Sequence, residues 1–313
     1  LEFRRVLFRS HGRRRGACEA GVIELVRPPF TIIDGGLSTV LEEMGERPGG
    51  LLWTAAALVD RPALLTEAHR RYVEAGADVV ITSSYQASVK GLVSAGLDPV
   101  AARAALASTT HLARASGASI VAASVGPFGA CLADGSEYRG VYTADWNEVR
   151  AFHRERLEVL VDSGPDVFAI ETMPGAVEAQ IVVEELRNLT DLPAWVTFTC
   201  NGPSTTCTGD ALGAAVAAVA PAASAVGVNC THPSLVTSLL RQAAEVTDLP
   251  LVAYPNHGAQ WDADAKCWIG TADGTDLPTH LDEWLAAGAR LVGGCCGVGT
   301  KGIATIASAR AHH

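Results

Sequence analysis

The amino-acid sequence predicts an α/β protein, a single (β/α)8 TIM barrel, and three observations carry that prediction. Eight short apolar runs rich in β-branched residues recur along the chain, each followed by a helical pattern or a long connection. The runs are almost continuously hydrophobic, as expected of parallel strands whose two faces are both covered. No Gly-x-Gly-x-x-Gly motif follows the first run, which disfavours the alternative, a doubly wound open sheet.

The predicted elements alternate from the first strand to the end of the chain. The strands are expected over residues 30–36, 78–85, 119–127, 167–173, 194–200, 225–231, 250–258 and 290–297. Apolar residues at three- and four-residue spacing predict helices that include 62–76, 145–164, 176–189, 233–247 and 278–288. The longest connections are rich in glycine and polar residues, and we expect them to form the rim or lid of an active site: 36–61, 128–144 and 258–277.

Residues 1–27 are predicted to be an artefactual or truncated leader, and residues 28–313 one barrel domain. The first ten residues, LEFRRVLFRS, show neither helical nor strand periodicity and read as translated adapter sequence. Residues 1–27 hold seven arginines and three glutamates, so the rest of the chain carries a net charge of −14. An acidic body without a basic stripe argues against nucleic acid and anionic membranes as partners.

The cysteine content and one uncharged stretch indicate the cellular location of the protein. Residues 211–240 carry no charge, but they are rich in alanine and interrupted by Pro221, so we interpret them as a buried helix and strand and expect no membrane span. Eight cysteines in a chain of 313 residues do not indicate a secreted disulfide scaffold. The sequence therefore predicts a cytoplasmic protein whose cysteines bind metal, take part in catalysis or are buried.

Cysteines and polar residues fall at the ends of the predicted strands, where TIM barrels keep their catalytic groups. Cys230 ends the sixth strand, and Cys295 and Cys296 end the eighth, so all three thiols are expected at one mouth. Three thiolates suit a soft or borderline cation, and zinc with a fourth position left open is predicted. The spacing matches no short metal motif, so three inert buried cysteines stay the alternative.

Several segments, in order, resemble the homocysteine S-methyltransferase family: DGGLSTVLEE, ITSSYQAS, SVGPFGACLADGSEYRG, IETMP, GVNC, VAYPNHGAQWDADAKCW and LVGGCCG. The resemblance covers about residues 30–309 and is closest to the S-methylmethionine-dependent branch. It implies that Cys230, Cys295 and Cys296 bind zinc. It also implies a substrate-binding set in which Asp34, the Gly35 backbone and Glu171 hold the homocysteine ammonium, with Asn256 at or near the fourth metal position when substrate is absent. Two further strand-end residues, Tyr85 and Asn229, complete the predicted substrate-binding set.

The reaction implied by this resemblance is methyl transfer from S-methylmethionine to the thiolate of zinc-bound homocysteine, which gives methionine. Zinc deprotonates a thiol that is otherwise mostly protonated at neutral pH. A sulfonium already carries a positively charged leaving group, so no catalytic residue beyond the zinc site is predicted. S-adenosylmethionine or betaine as donor stays open, as does a zinc–thiolate barrel without turnover. The expected partners are small molecules, and the sequence leaves the oligomeric state open.

Overall fold

A computed structural model of the chain describes residues 25–46, 53–132, 134–258, 260–262, 267–269 and 276–313. Its strands are β1 (Thr31–Ile32), β2 (Val79–Ile81), β3 (Ile120–Val125), β4 (Val167–Met173), β5 (Ala194–Phe198), β6 (Ala225–Asn229), β7 (Leu251–Tyr254), β8 (Gln260–Asp262), β9 (Cys267–Ile269) and β10 (Ala289–Val292). Its α-helices are α1 (Leu37–Glu43), α2 (Trp53–Asp60), α3 (Pro62–Glu74), α4 (Val89–Ser94), α5 (Pro99–Ala115), α6 (Phe128–Leu132), α7 (Trp146–Asp162), α8 (Ala176–Leu189), α9 (Leu212–Val219), α10 (Pro233–Ala244), α11 (Pro278–Ala286) and α12 (Thr300–Arg310).

Eight of these strands form one parallel sheet in the order β1-β10-β7-β6-β5-β4-β3-β2. Beyond the end of β1, Ile33 pairs in parallel with Val79 of β2, which brings the two edges of the sheet together. The result is a nearly closed barrel in which at least one helix follows every strand of the sheet. The predicted TIM barrel is confirmed, and each predicted strand contains one strand of the sheet or, for the last, overlaps it.

Two layers of apolar side chains hold the barrel together. One cluster consists largely of strand residues, including Trp195, Tyr254 and Leu291, and fills the barrel interior. A larger cluster joins the alternate strand residues to the surrounding helices, with Leu160 of α7 and Leu240 of α10 among its members. Because successive strand residues point to opposite faces, covering both faces requires the continuous apolar runs seen in the sequence.

The described chain begins within the segment predicted to be a leader. Leu25 is buried, and its carbonyl oxygen accepts a hydrogen bond of 2.8 Å from Thr31 Oγ1. Arg27 Nη1 donates to Asp78 Oδ1 at 3.0 Å, just before β2. Residues 25–27 therefore pack on the barrel at the N-terminal ends of its strands, and residues 1–24 lie outside the described residues.

The uncharged stretch folds as a helix followed by a strand, as the sequence indicates, and forms α9 and β6. Across the part of the chain that the structure describes, no helix combines the length and apolar character that crossing a membrane requires. The connection 258–277 contains β8 and β9, an antiparallel pair that the sequence analysis did not predict. Other parts of that connection lie outside the described residues, so its role as a rim or lid stays a prediction.

Candidate active site

Three cysteines from two strand ends meet at the C-terminal mouth of the barrel. The Sγ atoms of Cys230, Cys295 and Cys296 all lie within 4.8 Å of one another. Cys296 Sγ is 3.7 Å from Cys230 Sγ and 3.9 Å from Cys295 Sγ, and none of the three forms a disulfide. The convergence predicted from the sequence is therefore present in the fold.

The three thiols interact strongly with one another. Hydrogen bonds from Cys295 and Cys296 hold the pKa of Cys230 well below its usual range, although burial opposes this. Hydrogen bonding with Cys230 is also the largest cause that raises the pKa values of Cys295 and Cys296 well above the usual range. The cluster therefore forms one thiolate readily, whereas three thiolates together require a cation among them.

The spacing of the sulfurs fits a tetrahedral metal site. Two thiolate sulfurs bound to zinc at about 2.3 Å in tetrahedral geometry lie about 3.8 Å apart. Two of the three sulfur–sulfur separations, 3.7 and 3.9 Å, lie on either side of that value, and the third is no longer than 4.8 Å. Glycine on both sides of the cysteine pair lets the backbone approach closely, since a Cβ on Gly294 would overlap Val298 and one on Gly297 would overlap the His257 ring.

Asp34 is a buried carboxylate at the end of β1. Its Oδ2 accepts a hydrogen bond of 2.9 Å from Ile81 N, and burial raises its pKa well above the ordinary value. The neighbouring Gly35 packs so tightly that a Cβ there would lie 2.3 Å from Val298 O and 2.8 Å from the Tyr72 ring. Glycine is therefore required beside this carboxylate.

Glu171 is a second buried carboxylate, from β4. Burial raises its pKa to about 7, although hydrogen bonds from Ser124 Oγ and Tyr254 Oη, the latter at 3.0 Å, stabilise the ionised form. Repulsion from Glu171 also contributes to the raised pKa of Asp34. The two buried carboxylates repel each other, and no described cationic side chain is bonded to either of them, an arrangement that suits a positively charged ligand.

The Asn229 side chain lies between Thr172 and the cysteine cluster, with its Nδ2 4.0 Å from Cys295 Sγ. Its Oδ1 accepts from Thr172 N at 2.7 Å, and its Nδ2 donates to Thr172 Oγ1 at 2.8 Å. Thr172 has φ of 60°, which is unusual for a β-branched residue, and Cys230 has φ of 48°. The buried Asn229 amide therefore stabilises the strained backbone of Thr172, the residue after Glu171. Cys230, the residue after Asn229, is the second strained position.

Asn256 lies next to the cluster but is engaged elsewhere. Its Oδ1 accepts from Gly258 N at 2.9 Å, and its backbone N–H donates to Thr231 O at 3.1 Å. Its predicted place at the fourth metal position stays a prediction. The following residue, His257, donates its backbone N–H to Cys296 O at 3.0 Å and so fixes the backbone of a cluster residue.

Tyr85 lies half-buried at the mouth, beyond the end of β2. Burial is the largest cause that raises its pKa well above the ordinary value. A Cβ on Gly126 would lie 2.5 Å from Tyr85 Cε2, so the ring packs directly over that glycine. Arg156, a buried residue of α7, donates to the carbonyl oxygens of both Tyr85 (3.2 Å) and Gly126 (3.1 Å). The position of this aromatic wall is therefore fixed from the helix layer.

Comparison with known proteins agrees with this geometry. Over 286 residues the chain is 39% identical to homocysteine S-methyltransferase of Escherichia coli (strain K12), covering 87% of this chain and 92% of that protein. It is also 39% identical over 302 residues to homocysteine S-methyltransferase 4 of Zea mays, covering 89% of this chain and 88% of that one. The crystal structure of the metallated form of homocysteine methyltransferase MmuM from Escherichia coli matches with a TM-score of 0.80 at 37% identity, covering 89% of this chain and 96% of that one. The family profile described as homocysteine S-methyltransferase matches residues 31–310.

The chain belongs to the homocysteine S-methyltransferase family.

In this homocysteine S-methyltransferase family member, the connection 128–144, here called the rim segment, adds residues that the sequence analysis did not single out. A 3-10 turn, Ser136–Tyr138, carries Tyr138 to the cluster, where its Oη lies 3.4 Å from Cys230 Sγ. Glu137 precedes it in the same turn. The sequence signal that could have indicated these residues is a Glu–Tyr pair between two glycines, Gly135 and Gly140. Both glycines have positive φ, as expected of a tight turn.

A buried carboxylate in the helix layer anchors the rim segment. Glu178 of α8 accepts hydrogen bonds from Phe128 N at 2.5 Å and Tyr142 Oη at 2.6 Å, and pairs with His153 Nε2 at 2.9 Å. Burial lowers the pKa of His153, which favours its neutral form as a hydrogen-bond donor. Both ends of the rim segment are thus bound to the same side chain.

Replacing this anchor is expected to be costly. Glu178→Ala leaves two buried donors and one half-buried donor without their acceptor, and we expect the free energy of unfolding, measured in urea, to fall by about 3–5 kcal/mol. Glu184→Ala on the same helix is the matched control, because that exposed side chain pairs only with Arg150 among the described residues. The control is expected to change stability by less than about 1 kcal/mol. Equal losses in the two variants would contradict the anchoring role.

Proposed function

We propose that this protein is a zinc-dependent homocysteine S-methyltransferase that takes its methyl group from S-methylmethionine. The observation that carries the proposal is the position of the three-thiol cluster at the same barrel mouth as Asp34 and Glu171. A thiol cluster suits a metal that binds sulfur, and paired carboxylates suit an ammonium group. An amino acid with a thiol side chain satisfies both.

Cys230, Cys295 and Cys296 would hold the zinc ion, because the spacing of their sulfurs fits tetrahedral coordination. Zinc bound there would act as a Lewis acid that lowers the pKa of a substrate thiol. With three protein ligands, one coordination position would remain for that thiol. The structural relative is described as a metallated form, which supports metal binding by this chain as well. Asn229 and His257 act as positioning residues, because each holds the backbone at a member of the cluster or beside it.

Asp34 and Glu171 would bind the homocysteine ammonium. Each is buried with a raised pKa, so the arrival of a cation favours the ionised form of both carboxylates. Their existing hydrogen bonds, from Ile81 N to Asp34 and from Tyr254 Oη to Glu171, orient the carboxylates before substrate binds. The substrate is thereby held at its amino end while its sulfur lies at the metal cluster.

The chemical step is a displacement at the methyl carbon. The homocysteine sulfur forms a bond to that carbon while the sulfonium S–C bond breaks, and the bonding electron pair stays on the departing neutral thioether. With S-methylmethionine as donor, both products are methionine. The Tyr85 ring, packed on Gly126 at the mouth, supplies an aromatic face to the cationic donor.

A donor comparison tests the proposal. Zinc-loaded protein and a fixed concentration of homocysteine are incubated separately with S-methylmethionine, S-adenosylmethionine and betaine, and methionine is quantified. We expect the fastest methionine formation with S-methylmethionine. A preference for another donor would overturn the donor assignment alone. No methionine from any donor, with zinc bound, would favour a thiolate site without turnover.

We further propose that residues 28–313 act as one homocysteine-binding domain. Leu25 and Arg27, which the sequence analysis assigned to the leader, pack on this domain. The cytoplasmic location and the absence of nucleic-acid and membrane partners stay predictions.

A further inference from the structure

We propose that Glu137 binds the ammonium group of the methyl donor and so selects amino-acid sulfonium donors. The inference rests on the proposed function and extends it, since it assigns to the second substrate a binding group of its own. Glu137 is separate from Asp34 and Glu171, which would hold homocysteine.

The backbone around Glu137 is fixed close to the cysteine cluster. Tyr138 N donates to Gly135 O at 3.2 Å and Gly140 N donates to Ser136 O at 2.8 Å, which closes the turn. The turn packs against α6, because a Cβ on Gly129 would lie 2.6 Å from Glu137 N. The next residue, Tyr138, reaches Cys230 Sγ, so Glu137 lies in a rigid turn at the metal site.

One oxygen of the Glu137 carboxylate lacks a hydrogen-bond partner among the described residues. Oε2 is buried and makes no hydrogen bond within the part of the chain that the structure describes. The nearby Arg139 is directed to Asp134, since its Nη2 donates to Asp134 O at 3.1 Å and lies 3.9 Å from Asp134 Oδ1, and no ion pair among the described residues includes Glu137. An unpaired buried carboxylate oxygen destabilises a fold unless a ligand satisfies it.

The electrostatic surroundings also indicate a cationic ligand. Burial raises the pKa of Glu137 to about 7, although a hydrogen bond from its own backbone N–H opposes this, and the charge of Cys230 raises the pKa by more than Arg139 lowers it. A positively charged ligand would lower the pKa of Glu137 and keep its carboxylate ionised. The charge of Glu137 also raises the pKa of Tyr85, whose ring the proposed function assigns to the donor, so both side chains lie at the same part of the mouth.

The missing partner is best supplied by an ammonium group. A sulfonium has no N–H or O–H and cannot donate a hydrogen bond to Oε2, whereas an ammonium offers three donors. In an in-line displacement the two sulfurs lie on opposite sides of the methyl carbon, so the two amino-acid tails extend in different directions. Carboxylates at two separate places therefore match two amino-acid substrates, with Glu137 serving the donor.

The closing experiment measures donor binding and turnover in the same preparations. Zinc-loaded wild-type protein and Glu137→Gln are titrated calorimetrically with S-methylmethionine and with dimethylsulfoniopropionate, a sulfonium without an ammonium group. We expect Glu137→Gln to weaken S-methylmethionine binding about 10- to 100-fold, the effect of losing a hydrogen bond to a charged group. Binding of dimethylsulfoniopropionate and the KM for homocysteine are expected to change less than about twofold.

Two further variants keep the result interpretable. Glu148→Gln, at an exposed position of α7, is the matched control and should bind S-methylmethionine like wild type. Glu137→Asp keeps the charge but shortens its reach, and an intermediate loss is expected. Thermal unfolding of Glu137→Gln should occur at no lower temperature than that of wild type, because the substitution removes a half-buried carboxylate with one unpaired buried oxygen.

The outcomes separate this inference from the proposed function. Wild-type turnover with S-methylmethionine together with unchanged binding by Glu137→Gln would overturn the inference and leave the function standing. Equal losses for both sulfonium ligands would also overturn it, because the effect would not involve the ammonium. Absence of wild-type turnover would remove the function, whereas the calorimetric comparison would still show whether Glu137 recognises the ammonium.

Discussion

Cys296→Ser is expected to abolish metal binding and methyl transfer together. The Cys296 sulfur lies 3.7 Å from Cys230 Sγ and 3.9 Å from Cys295 Sγ, so its removal leaves only two thiols at the site. A serine hydroxyl does not ionise near neutral pH and is a poor ligand for zinc. Because even substitutions outside the ligand set cost about 10- to 100-fold in metal affinity, we expect a larger loss here.

The measurement is zinc content by elemental analysis, with the initial rate of methionine formation measured on the same samples. Cys131→Ser is the matched control: Cys131 lies outside the cluster, and its Sγ donates to Gln86 O at 3.2 Å, a bond that a hydroxyl can also make. The control should keep its zinc and at least about half of its rate. Normal methyl transfer by zinc-poor Cys296→Ser would remove the metal from the mechanism.

The barrel and the meeting of the cysteines could be predicted because topology determines both. Continuous apolar runs require strands covered on two faces, and the carboxyl ends of parallel strands open to one mouth. Cys230 follows β6 and Cys295 follows β10, and these two strands flank β7 in the sheet. Their convergence therefore depends on the order of the strands and not on the details of any loop.

The contacts made by the loops could not be predicted in the same way. Tyr138 contacts Cys230 from a rim segment that Glu178, a residue of α8, anchors near both ends. Nothing in the local sequence indicates that long-range hydrogen bond. Thr172 likewise adopts a positive φ through its exchange of hydrogen bonds with Asn229, against the preference of a β-branched residue. Such features depend on tertiary contacts that periodicity does not encode.

Glu171→Gln is expected to stabilise the fold at alkaline pH and to weaken homocysteine binding. Burial raises the pKa of Glu171 to about 7, from 4.5 in an unfolded chain. Below about pH 4.5 the carboxyl is protonated in both states. Above it, the unfolded chain releases its proton first, so the free energy of unfolding falls by about 3 kcal/mol as pH rises to about 7, and stays low beyond.

The variant carries no ionisable group at this position, so its free energy of unfolding should exceed that of wild type by up to about 3 kcal/mol at pH 8 and match it near pH 4.5. Urea unfolding of the zinc-loaded proteins across this range measures the difference, with Glu245→Gln, at an exposed position, as control. The KM for homocysteine should rise about 10- to 100-fold while zinc stays bound, because a charged hydrogen bond to the ammonium is lost. Parallel pH profiles for variant and wild type would show that Glu171 ionises normally, whereas an unchanged KM would show that its carboxylate does not bind the substrate. An ammonium site requires a buried carboxylate that lowers the stability of the ligand-free protein and strengthens binding of the cationic ligand.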